Sequence, residues 1–141
     1  MMISPVILSL IKPIYYGMHS GLAAVEYDSR NTHFSYASSE DNKNIKMIGA
    51  ISLTNYGDKP INISIKLPSE GREKWLLDDL ILTGIHDTME PGIFILTPGE
   101  QTILIYSDIP LTNEFNMSGY MRGPDLIFFT DEETRTVHRK L

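Results

Sequence analysis

The chain contains no cysteine. That absence removes disulfides, thiolate nucleophiles and cysteine-type zinc sites together, while leaving the compartment open. Long hydrophobic runs are missing as well. Val6 to Ile11 stops at Lys12 and Pro13, whereas a membrane-spanning helix needs about 20 residues and a signal-peptide core about 7–15. The expectation is a soluble chain, with a membrane link only through an anchor upstream of Met1-Met2. Positive charge is scarce: 12 Lys and Arg stand against 18 Asp and Glu, for a net charge of −6. Phosphate backbones demand clustered cations, so nucleic acid is not expected as a partner. Arg135, His138, Arg139 and Lys140 sit beside Asp131, Glu132 and Glu133, which reads as a solvated terminal strand.

The catalytic inventory is equally thin. No Gly-x-Gly-x-x-Gly or Gly-Lys-Ser/Thr cradle occurs, and Ser20 in His19-Ser20-Gly21 lacks the Gly-x-Ser-x-Gly elbow that exposes a serine nucleophile. His19, His33, His86 and His138 show no paired metal-ligand spacing. His86-Asp87, with Glu90, Asp78 and Asp79 nearby, is where imidazole and carboxylates gather. Such a group could move protons, bind a small ligand or hold Ca²⁺; a polar loop explains it more simply. The expectation is a protein that is not an enzyme and takes no cofactor or metal.

What the sequence has is alternation. Apolar residues make up 42% of 141 residues and charged residues 21%, a profile of one globular domain over 1–141, least defined over 1–44. Leu53-Thr54-Asn55-Tyr56-Gly57-Asp58-Lys59-Pro60 and Leu96-Thr97-Pro98-Gly99-Glu100 are polar turns between alternating stretches, the pattern by which antiparallel strands are joined. Ile45, Met47, Gly49, Ile51 and Leu53 share one strand face; Ile61, Ile63, Ile65 and Leu67 share another. Strands are expected over 6–11, 45–55, 61–67, 93–97, 102–107, 125–130 and 134–139. Residues 14–25 fit a strand or a helical turn. Residues 29–44, with Phe34 and Tyr36 alternating inside, read as a short edge strand followed by an exposed loop. Residues 72–82 read as a short helix with Trp75, Leu76 and Leu80 on one stripe, in competition with a strand over 80–83 ended by Gly84. About seven short antiparallel strands predict an all-β sandwich.

The stretch from Ile45 to Ile109 resembles the immunoglobulin-like class of surface and assembly domains, through the Asn-x-Gly-Asp turn at Asn55–Asp58 and the Leu-x-Pro-Gly-Glu turn at Leu96–Glu100. Within that class the chain is most similar to the soluble ectodomains of archaeal archaellum stator proteins and pilin-like surface proteins; Leu126 to Thr130 followed by Thr134 to His138 fits their ending. The resemblance implies an extracellular or cell-surface location and a protein partner, either a like subunit or a filament component. It also implies an N-terminal membrane helix, which this sequence does not contain.

Apolar residues in loops need a surface to cover. Phe115, Met117, Tyr120 and Met121 cluster around Gly119 in a stretch read as a loop between strands, ready to fold back on the sandwich or to meet a partner. Trp75 joins them as a recognition anchor, since Trp is enriched at interface hot spots, although a lone Trp more often plugs a core. Tyr15 and Tyr16 form a weaker group. The function these residues point to is a structural or binding module of a surface assembly, acting through sheet edges and loops, with homodimerisation through an edge strand. The alternatives are a virion or phage structural protein of the same class, and a small-ligand or hydrolytic protein built on His86 and Asp87.

Overall fold

A computed structural model of the chain describes residues 21–69, 76, 78–84, 92–111 and 116–139. The expected strand at 6–11, Tyr15, Tyr16, Trp75, His86, Asp87 and Phe115 lie outside those residues. A single 3₁₀ turn, Gly21–Ala24, leads into nine strands among the described residues: β1 (Val25–Ser38), β2 (Asn44–Asn55), β3 (Ile61–Leu67), β4 (Leu80–Ile81), β5 (Phe94–Leu96), β6 (Gly99–Pro110), β7 (Ser118–Arg122), β8 (Leu126–Phe129) and β9 (Thr134–Val137). They build two antiparallel sheets, one in the order β6-β2-β1-β7 and the other β4-β3-β8-β9 with β5 also on β3. This is the expected all-β sandwich. Each sheet hides one face, so the period-2 pattern of the sequence becomes a period-2 pattern of burial. Phe34, Ile45, Met47, Ile51 and Ile105 of the first sheet meet Ile63, Ile65, Leu96, Leu126 and Phe128 of the second in one core.

The two polar turns do not close hairpins. β2 belongs to the first sheet and β3 to the second, and β5 and β6 are divided in the same way. Both turns therefore carry the chain across the sandwich. The side chain of Asn55, buried at the crossing, ties them together: its Nδ2 donates to Lys59 O and Leu96 O, and its Oδ1 accepts from Gly57 N.

Three other expectations change. β1 is a long strand inside its sheet, not a short edge: β2 lies on one side and β7 on the other. The polar residues that obscured it form a bulge, in which Ser29 to Thr32 oppose Ile51 alone, between the pairs Asp28↔Ser52 and His33↔Ala50. Those extra residues switch the buried face from odd positions (Val25, Tyr27) to even ones (Phe34, Tyr36). Thr32 holds the bulge through its Oγ1, which donates to Asp28 O and accepts from Ser52 N. Gly123 seals it by donating from its backbone N to Thr32 O; at φ +57° it lies so close to Ser29 O that a Cβ would collide. Next, Ser118–Arg122 is strand, so the presumed loop around Gly119 is the last ribbon of the first sheet. Finally, Leu80–Ile81 pairs with Lys66 and Leu67, which answers the end of the helix candidate with the competing strand.

Tyr27 lies at the start of β1 against the second sheet, edge-on to Phe128 with ring centroids 6.0 Å apart, and its hydroxyl donates to Pro124 O at 2.7 Å. Burial holds the phenol well above its ordinary pKa.

Candidate functional site

Among the described residues, exposed apolar surface gathers on the outer face of the first sheet. Because β6 turns Ile103, Ile105 and Ser107 inward, Thr102, Leu104, Tyr106 and Asp108 must point out. On β2, burial of Ile45, Met47 and Ile51 sends Lys46 and Ile48 outward. Register places these side chains side by side in rows that cross the sheet. One row runs Tyr106, Ile48, Ser35, Tyr120; the next runs Leu104, Ala50, His33, Arg122. Ile48 and Leu104 are each 55% exposed, Tyr106 41% and Tyr120 60%. Four of the five large apolar side chains that are exposed among the described residues therefore share one face. His33 stacks on Tyr120, ring planes 20° apart and centroids 6.2 Å apart, which narrows the freedom of two side chains at the β7 side of that surface.

Charge frames the apolar centre. Toward one end β2 and β6 present Lys46 beside Asp108. At the other end Glu26, Asp28 and Glu100 line a polar cleft of about 710 Å³ with Asn31, Ser52 and Thr102. Asn31 comes from the bulge, and its Nδ2 donates to Asp28 Oδ2 at 2.7 Å, so the same residues that flip the face of β1 also build one wall of the cleft.

The second sheet treats its outer surface differently. Asn62, Ser64 and Lys66 alternate outward along β3, and Lys66 Nζ sits 4.6 Å from the centroid of the Phe129 ring. A charged side chain thus roofs an aromatic that would otherwise face water.

Of the residues singled out from the sequence, Tyr120 is on the open face, while Met117 and Met121 pack against the core from β7 and the segment before it. His33 adds a ring to the open face. Ile48, Leu104 and Tyr106 escaped the sequence reading, yet a signal existed. Ile103-Leu104-Ile105-Tyr106 is apolar at four consecutive positions, so whichever pair faces the core, the other pair faces out. Among the described residues no three His, Asp or Glu side chains come together as a metal-binding group. What this arrangement can do is bind by surface complementarity.

No protein-family model, curated protein or solved structure matches this chain.

Proposed function

We propose that the protein is a non-enzymatic binding module that contacts other proteins through the outer face of the β6-β2-β1-β7 sheet, within a surface assembly of the kind its turn sequences resemble. One observation carries the reading: Ile48, Leu104, Tyr106 and Tyr120 lie exposed on β2, β6 and β7 of the same face. Grouped apolar exposure on a soluble domain marks an interaction surface, whereas the same residues scattered would mean nothing. Two of the four are tyrosines, whose rigid amphipathic rings give contact area at small entropic cost.

Photocrosslinking in the source cell tests this. A photoreactive residue replacing Leu104 is expected to form a discrete protein adduct, while the same residue replacing Asn62, on the outside of the other sheet, forms none. Absence of any adduct from position 104 would overturn the reading.

A further inference from the structure

We infer that the occupant of this face is a second copy of the same chain, packed sheet against sheet about a two-fold axis that crosses the strands between the Ile48 row and the Ala50 row. The inference rests on the reading of the face as a protein interface and names its partner.

Self-complementarity is the argument. In a two-fold contact the same patch must satisfy itself, so each row has to suit the row that the axis brings opposite. The axis placed here lays Tyr106, Ile48, Ser35 and Tyr120 over the second copy's Leu104, Ala50, His33 and Arg122, in that order. On β2 a large side chain then meets a small one, Ile48 covering the second copy's Ala50, while on β6 the apolar pair Tyr106 and the second copy's Leu104 pack together. Tyr120 meets the second copy's Arg122, a cation over an aromatic face.

The charged ends also match. One row beyond the Ile48 row are Asp108, Lys46 and Ala37; one row beyond the Ala50 row are Thr102, Ser52 and Asp28. Superposed by the axis, Lys46 arrives over the second copy's Ser52, one strand (about 4.8 Å) from its Asp28 and within reach of that carboxylate, while Asp108 faces the uncharged Thr102. Glu26 and Glu100, paired on either side of Thr54, extend the negative end around Lys46. Each copy contributes one such meeting, so the dimer has two.

The size is sufficient. β2 and β6 each hold 12 residues and β1 holds 14. With about 3.3 Å rise per residue and about 4.8 Å between strands, the face covers roughly 650 Å² per copy. Two copies therefore bury on the order of 1,300 Å², inside the range of specific interfaces.

Sedimentation velocity on the full chain, from micromolar to near-millimolar concentration, tests the inference. Wild type is expected to move from monomer to dimer over that range. Leu104→Glu, which touches only the outer face, is expected to weaken association at least about tenfold while leaving the thermal melting curve of the dilute monomer in place. The decisive pair is Lys46→Asp and Asp28→Lys. Each alone sets like charges together twice across the axis and is expected to stay monomeric; an equimolar mixture restores opposite charges at both meetings and is expected to dimerise. A wild type that is monomeric throughout overturns the inference, and so does a dimer indifferent to Leu104→Glu. A mixture that fails to associate overturns the axis. If the chain is monomeric while position 104 still crosslinks to a different protein in cells, the binding-module reading stands and the second copy is wrong. If neither occurs, both fall.

Discussion

Asn55 Nδ2 donates to the carbonyl of Leu96 at 3.1 Å across 41 residues of sequence, joining the two turns that carry the chain between sheets. The amide is buried and uses both of its ends, since Oδ1 accepts from Gly57 N. Replacing it removes three hydrogen bonds and strands what they served: Lys59 O and Leu96 O lose a donor, and Gly57 N loses an acceptor. An unsatisfied buried group costs about 1–3 kcal/mol, so Asn55→Leu is expected to destabilise by roughly 2–4 kcal/mol. Asn55→Asp is expected to be worse near neutral pH, because a carboxylate would face two carbonyl oxygens. Urea denaturation of both variants measures this.

Tyr27 gives a pH signature. Its folded pKa is raised above the ordinary value of 10.0, chiefly because burial disfavours the phenolate. The stability it contributes is therefore complete below pH 10 and declines as alkaline conditions ionise the unfolded chain first. The midpoint of urea unfolding is expected to fall between pH 10 and pH 11, and Tyr27→Phe is expected to flatten that fall. Equal slopes in the two proteins would assign the alkaline loss to other groups.

The bulge in β1 depends on the absence of a side chain at Gly123. A left-handed backbone costs an ordinary residue about 1–2 kcal/mol, and here a Cβ would also press on Ser29 O. Gly123→Ala is expected to lower stability by roughly 2 kcal/mol or more and to speed amide exchange at Ser52, whose backbone N donates to Thr32 Oγ1 within the bulge. Hydrogen exchange read residue by residue tests both parts.

Neighbouring positions on β6 should respond in opposite ways. Ile105 faces the core and Leu104 faces out. Ile105→Ala is expected to cost about 2–5 kcal/mol, while Leu104→Ala is expected to stay within about 0.5 kcal/mol. Thermal denaturation at a dilution that keeps the chain monomeric separates folding from association. Equal costs at the two positions would contradict the register of the strand.

Much of this was legible in the sequence. The alternation from Ile45 to Leu53 and from Ile61 to Leu67 named β2, β3 and their inward faces, and the Thr97–Gly99 turn placed the start of β6 within a few residues. β1 was harder. Tyr27 and Phe34 are both buried but differ in parity, so no straight strand accommodates them, and the polar residues that reset the parity look like a loop. β7 was missed because Gly119 and its polar neighbours suggest a loop, and only pairing with Ser35 and Tyr36 makes that segment a strand. The helix candidate failed at its end, where Leu80 and Ile81 found partners on β3.

Where β2, β3 and the middle of β6 run, and which of their side chains want shelter, is set by the chain alone, because burial with period 2 is written residue by residue along it. Tertiary structure alone decided that the two polar turns cross between sheets, that β1 lies inside one of them, and that Ile48, Leu104, Tyr106 and Tyr120 gather on an open face. Those are matters of which strand lies beside which, and pairing joins residues far apart in sequence. An outward apolar residue looks incidental in one strand; it becomes a surface only when the neighbouring strands present theirs at the same height.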